Sequence, residues 1–195
     1  MSGGTADPLA LVREWYDEAV GAFLAEPNSM ALATASPDGV PSVRIVLLKG
    51  IDDRGIRFFT NYGSRKGREL DANPRAAAAL YWQPLHRQVR MEGPVERLTA
   101  EESDAYFATR DRGSRLGAWA SRQGSVIPGR DALEAALAEA AGRYPDDVPR
   151  PDYWGGYRLN PDAIELWQGR PNRLHDRIHF LRRPDGTWRS ERLSP

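Results

Sequence analysis

The chain has 195 residues, with 27 Lys+Arg against 27 Asp+Glu, so a net charge of zero excludes wholesale attraction to nucleic acid or an anionic membrane. Hydrophobic residues make up 41% and charged residues 28%, a globular balance, and at this length one domain buries roughly 70% of its unfolded surface. Cysteine is absent, which removes disulfides, thiolate zinc sites, iron–sulfur clusters and cysteine nucleophiles together.

Residues 1–8 are small and polar, without the apolar segment of a signal peptide, and residues 1–6 are expected to be disordered. Leu9, Leu11, Val12, Trp15, Tyr16, Ala19, Val20, Phe23 and Leu24 recur at three- and four-residue spacing, which predicts an amphipathic helix closed by Pro27. Residues 30–35 read as a short apolar strand, Pro37-Asp38-Gly39 as a turn, and residues 42–49 (SVRIVLLK) as a second strand. Asp52-Asp53-Arg54-Gly55 makes the next turn, before a strand at residues 56–61. Strands joined by tight turns predict an antiparallel meander and exclude the βαβ rhythm of a nucleotide-binding sheet.

Ser64 is placed to cap a helix running to Asp71 and ended by Asn73-Pro74. Residues 76–82 and 88–98 read as two further strands. The first is also the longest apolar run, far short of the ~18 residues of a membrane helix, and the expectation is a soluble cytoplasmic protein. Thr99 and Glu102 form a capping box for a helix through Thr109; residues 114–121 and the alanine-rich 130–144 are two more helical stretches. Residues 145–151 resemble a linker, but the tail beyond is too short to stand alone, so residues 1–195 read as one domain. Residues 154–159, 163–168, 173–182 and 187–193 are closing strands, the last pair joined by Pro184-Asp185-Gly186. The fold class is mainly β with attached helices (α+β), as a closed or split antiparallel barrel.

No G-x-G-x-x-G, Walker A, H-E-x-x-H or G-x-S-x-G pattern occurs. The three histidines (His86, His175, His179) leave little for a metal site, and none is expected. Cationic clusters remain, at places where strands and helices end. In Gly63-Ser64-Arg65-Lys66-Gly67 two cations open a helix against its dipole, a conflict that a bound phosphate resolves; the alternative is a solvated turn with outward charges. Arg44 and Lys49 bracket four apolar residues, which taken alone reads as the snorkelling ends of a buried strand. An odd separation puts them on opposite faces, so one ligand uses both only if the strand bulges or the ligand wraps its end. Alternation places Arg173, His175, Arg177 and His179 on one strand face, which suits an anionic small molecule better than a zinc pair lacking a third ligand. Tyr106, Arg110 and Ser114 offer hydroxyls and a guanidinium suited to phosphate, though such residues are common on any surface. A nucleic-acid binder would gather its basic residues into one stripe. Dispersed clusters instead fit a phosphorylated cofactor with a phosphorylated substrate, without saying which.

At these residues the sequence resembles the pyridoxamine/pyridoxine 5'-phosphate oxidase family. The matching pieces run in order along nearly the whole chain: RIVLLK, GSRKG, the Gln88 strand, Tyr106-Phe107 with Arg110, LGAWASRQ at 116–123, WGGYR at 154–158, WQG at 167–169 and RLHDR at 173–177. The resemblance implies an FMN-binding split barrel, a homodimer with residues of both chains in each site, and oxidation of pyridoxamine or pyridoxine 5'-phosphate to pyridoxal 5'-phosphate. Oxygen would be reduced to hydrogen peroxide. It assigns FMN contacts to Arg44, Ile45, Val46, Leu47, Leu48, Lys49, Phe59, Thr60, Arg65, Lys66, Gln88, Gln123, Gly124, Trp167 and Arg177. Substrate phosphate falls to Lys49, Tyr106, Arg110 and Ser114; Arg173, Leu174 and His175 would lie against the pyridine ring, with Arg173 and His175 the catalytic pair. Three features depart from the family pattern: a short segment before the first helix, Asp111 where a proline commonly follows the arginine, and Gly124 in place of a serine. The alternatives are a related FMN-dependent oxidase of secondary metabolism, or a non-catalytic protein that carries or senses flavin or pyridoxal phosphate.

Overall fold

Asp7 opens the first helix, α1 (Pro8–Gly21): its carboxylate accepts the Leu9 backbone N–H at 3.0 Å, and Pro8 occupies the first turn. The computed structural model describes residues 7–195, so the expectation for residues 1–6 lies outside the described residues. The helix ends at Gly21, short of Pro27, and Phe23 and Glu26 then take left-handed φ values of 54° and 47°. Leu9, Val12 and Ala19 pack its inner face against the sheet.

The sheet is antiparallel and, among the described residues, holds ten strands. They are β1 (Ser29–Ala35), β2 (Pro41–Leu47), β3 (Gly50–Ile51), β4 (Ile56–Asn61), β5 (Arg75–Trp82), β6 (Arg87–Arg97), β7 (Trp154–Leu159), β8 (Ala163–Gln168), β9 (Asp176–Arg182) and β10 (Trp188–Arg192). The main path runs β10-β9-β8-β6-β5-β1-β2. Strand β6 pairs with β5 along one edge and divides the other between two partners: residues 87–92 pair with β8 and residues 95–97 with β7, which in turn pairs β4. Gly93 stands at that division, where a Cβ would lie 2.3 Å from the Asn160 carbonyl oxygen. The sheet therefore splits and curls at β6, giving a split barrel around Met30, Leu32, Phe58, Leu80, Val89, Met91, Tyr157 and Ile164.

Four further α-helices occur among the described residues: α2 (Arg65–Ala72), α3 (Ala100–Ala108), α4 (Arg112–Ala120) and α5 (Arg130–Arg143). The Thr99–Glu102 capping box forms on α3 as its spacing predicts. Helix α4 begins earlier than expected because Asp111 caps it, accepting the Ser114 N–H at 2.8 Å. Among the described residues, no helix is long and apolar enough to cross a membrane.

Three expectations need correction. The meander forms only between β1 and β2; β4 pairs with β7 and with the two-residue β3, because the chain leaves the sheet plane after Leu47. Strand β2 is thus an edge strand and not a buried one. Val43 (69% exposed), Ile45 (65%) and Leu47 (40%) face outward, while Arg44 is turned inward. Finally, β9 begins at Asp176 and not at Arg173, because Asn172 and Arg173 take left-handed φ values of 58° and 60° that no strand accommodates. Arg177 and His179 share a strand face; Arg173 and His175 do not belong to it.

Candidate active site

Ser64 caps α2 by accepting the Gly67 N–H at 3.3 Å, and the cap turns Lys66 inward. Lys66 is 8% exposed, and its Nζ donates to Gln123 Oε1 at 2.8 Å and Thr60 Oγ1 at 3.1 Å, with Ser64 Oγ at 3.5 Å. All of these partners are neutral. Burial, then the nearby charge of Arg44, pulls the ammonium pKa down to about 8. A buried cation without a counter-charge is a ready seat for an anion.

Lys66 lies in the wall of a cavity of about 810 Å³. The end of β2 contributes Ile45, Val46 and Leu47, and β4 contributes Phe59 and Thr60. Lys49 joins them from beyond the end of β2, so the opposite-face conflict with Arg44 does not arise. Phe59 stacks on Tyr106 at 3.8 Å and 18°, and Trp154 lies 5.5 Å from Phe59 and nearly parallel to it. Gly156 makes room for this stack, since a Cβ there would stand 2.7 Å from the Phe59 ring.

Arg110, just past α3, lies 4.7 Å over the Trp154 ring and 5.5 Å from that of Phe107. Its Nη1 is buried without a hydrogen-bond partner among the described residues, and burial lowers its pKa. Ser114, in the first turn of α4, faces the same cavity. A flat, phosphate-bearing molecule fits this donor set: two separate unpaired cationic positions, Lys66 and Arg110, beside stacked aromatic rings.

Other expected site residues lie elsewhere. Arg44 and Arg65 are not in the cavity wall; both turn to Glu69, with Arg65 Nε at 2.7 Å and Arg44 Nη2 at 3.5 Å. Burial works to raise the Glu69 pKa, but hydrogen bonds from Ser42, Thr34 and Arg65 outweigh it and hold the carboxyl at about 2. Sequence reasoning missed Glu69, although its i,i+4 spacing from Arg65 on one helix was the available signal. Leu48 is buried in the core, and Gly124, at φ 88°, is a turn residue outside the wall.

A second group forms around β8. Gln88, Trp167 and Arg177 are direct cross-strand partners on β6, β8 and β9, so their side chains make a row on one sheet face. Arg177 donates to both Glu165 oxygens, at 2.8 and 3.0 Å, which raises the Arg177 pKa and lowers that of Glu165. The His175 ring lies 4.7 Å from that of Trp167. Its Nδ1 accepts the Arg170 backbone N–H at 3.1 Å, which leaves the proton of neutral His175 on Nε2. Leu174 is exposed. None of Gln88, Trp167, Arg173, Leu174, His175 or Arg177 lines the cavity.

A family model described as "Pyridoxamine 5'-phosphate oxidase" matches residues 16–144, and one described as "Pyridoxine 5'-phosphate oxidase C-terminal dimerisation region" matches residues 154–195. The pyridoxine/pyridoxamine 5'-phosphate oxidase of Cupriavidus necator is 60% identical over 97% of this chain and 89% of its own length. That of Rubrobacter xylanophilus is 57% identical over 99% of this chain and 89% of its own. Among solved structures, PhzG from Burkholderia lata 383 in complex with tetrahydrophenazine-1-carboxylic acid superposes with a TM-score of 0.92 at 36% identity, covering 96% of this chain and 92% of that one. A pyridoxamine 5'-phosphate oxidase-related, FMN binding protein from Nostoc punctiforme PCC 73102 shares the fold with a TM-score of 0.77 at 21% identity, over 94% of this chain and 97% of that one. With likeness along nearly its whole length, the chain belongs to the pyridoxamine 5'-phosphate oxidase family of split barrels, whose cofactor is FMN.

Proposed function

We propose that the protein is a homodimeric, FMN-dependent oxidase that converts pyridoxamine and pyridoxine 5'-phosphate to pyridoxal 5'-phosphate, with oxygen reduced to hydrogen peroxide. The observation that carries this reading is the pair of cationic positions that make no ion pair among the described residues in one cavity, Lys66 and Arg110. Lys66, with Thr60 and Gln123 already converged on it, holds the cofactor's phosphate. Arg110 and Lys49, with the Tyr106 and Ser114 hydroxyls, hold the substrate's phosphate. Bound FMN would supply the two-electron acceptor, with oxygen as the final oxidant; the protein's part is to set distance and charge.

The cavity is one part of the site in this reading, and the row of Gln88, Trp167 and Arg177 is the other. Exposed Val43, Ile45 and Leu47 form an apolar edge whose latter two members also border the cavity, a surface suited to a second copy of the chain. In the proposed dimer the partner subunit's row, with the partner's Arg173 and the partner's His175, covers the cavity. Strands β8 and β9 belong to the segment that matches the dimerisation region.

The likeness to PhzG supports a second reading, oxidation of a reduced phenazine. The ligand in that structure carries a carboxylate and no phosphate. The substrate end of the present cavity holds two cations, Lys49 and Arg110, against one acid, Asp111, whose carboxylate caps α4; with the Tyr106 and Ser114 hydroxyls this donor set favours the more highly charged phosphate. Steady-state assays decide. The purified protein with FMN and pyridoxamine 5'-phosphate should release hydrogen peroxide and aldehyde; no peroxide means a carrier or sensor, and faster turnover of tetrahydrophenazine-1-carboxylate means a phenazine enzyme. Lys49→Ala and Arg110→Ala should each raise KM by ~10-fold or more, as expected for a lost charged hydrogen bond. Unchanged KM in both variants removes them from the substrate site.

A further inference from the structure

We propose that Trp154 is a positioning residue for Arg110, holding the guanidinium on its indole face so that its N–H donors stay free for the substrate's phosphate. The inference rests on the reading of Arg110 as a phosphate ligand. Its physical basis is a contrast between the site's arginines. Arg65 and Arg177 are fixed by ion pairs to buried carboxylates, Glu69 at 2.7 Å and Glu165 at 2.8 Å, and Arg44 also turns to Glu69. Arg110 makes no ion pair among the described residues; its guanidinium carbon sits 4.7 Å over the Trp154 ring, and Nη1 is buried and unpartnered.

A carboxylate in that place would orient Arg110, but it would also neutralise it and occupy the donors that an incoming phosphate needs. An aromatic face attracts the cation through the ring quadrupole and accepts none of its in-plane N–H bonds. It therefore restricts a long side chain without competing with the ligand. Trp154 is itself braced: it is buried, meets Phe107 edge-on at 5.1 Å, and its carbonyl accepts from Arg150 Nη1 at 2.8 Å. Phe107 is the second ring that the guanidinium faces, at 5.5 Å.

The test combines kinetics with an ion probe on the FMN-loaded protein. Trp154→Leu should raise KM for pyridoxamine 5'-phosphate about tenfold, the scale of a desolvated cation–π contact, with a smaller change in kcat. The Ki of inorganic phosphate as a competitive inhibitor should rise by the same factor. Trp154→Phe, which keeps an aromatic face, should stay within about threefold of the parent in both quantities. In an Arg110→Ala background, Trp154→Leu should raise KM no further, since the residue acts through Arg110. Trp154→Met, closer in volume, makes the same comparison if the leucine variant fails to fold. A full additional loss in the Arg110→Ala background, or no rescue by Phe, overturns the inference and leaves Trp154 as packing alone. A KM untouched by Arg110→Ala overturns the phosphate-ligand reading itself, and the inference with it.

Discussion

Arg173→Ala is expected to lower kcat with pyridoxamine 5'-phosphate by about a hundredfold, the cost of misaligning a bound reactant, while FMN content stays within about twofold of the parent protein. The expectation starts from backbone geometry. Arg173 follows Asn172 in a second consecutive left-handed conformation, unusual for residues other than glycine and a sign of a side chain held in a set direction. The turn is braced on its far side: Arg170 Nε pairs with Asp176 at 2.7 Å, and the Arg170 N–H bonds the His175 ring. Arg173 itself makes no ion pair among the described residues, so its guanidinium is available to a ligand. In the proposed dimer it covers the substrate ring from the side opposite the flavin, next to His175, whose protonated Nε2 faces away from the Arg170 bond. Turnover measured by peroxide release, with FMN content from the visible spectrum, checks this. Parallel loss of turnover and flavin would assign Arg173 to cofactor binding instead.

Lys66→Met should weaken FMN binding by roughly 10- to 100-fold, the range for losing a charge-assisted hydrogen bond to phosphate. The wild-type affinity should also carry a pH signature. In the FMN-free protein the ammonium pKa is about 8, and a bound phosphate favours the charged form and raises it. The proton is present in both states below pH 8, so affinity is full there and falls as pH rises through 8 toward the higher pKa of the complex. Folding stability of the free protein moves the other way. Because the folded pKa lies below the usual lysine value of 10.5, this group adds stability as pH rises from about 8 through 10.5. FMN fluorescence quenching between pH 7 and 9.5 measures the binding effect. A wild-type Kd that is flat over that range, or a methionine variant with unchanged Kd, would remove Lys66 from the phosphate site.

Local signals carried much of the fold. The Ser64 cap, the Thr99–Glu102 box and the bounds of β4, β7 and β8 follow from residue types a few positions apart. What stayed hidden depends on distant partners. The turn at residues 52–55 does join neighbours, β3 and β4, but nothing local shows that β4 also pairs with β7, almost a hundred residues on. The apolar run in RIVLLK has the same composition whether the strand is buried or forms an exposed edge; here Val43 and Ile45 face out. The alternation of RLHDR imitates a strand because polarity does not report φ, and Pro171-Asn172 was the local clue to the turn. The resemblance to a family sorted the site residues by ligand, without saying which of them one chain brings together. The geometry separates them into a cavity and a cross-strand row, and discloses Glu69 and Trp154 as the partners that hold Arg65 and Arg110.

In the proposed homodimer the cavity of one protomer is completed by the row of its partner. Co-expression of an Arg110→Ala chain and an Arg173→Ala chain under different affinity tags tests it most directly. In the mixed dimer one site then combines both defects and the other has neither. The purified heterodimer should recover about half the activity of the parent dimer, as two-fold symmetry requires. Activity no higher than that of either single variant would mean that each site draws all its residues from one chain.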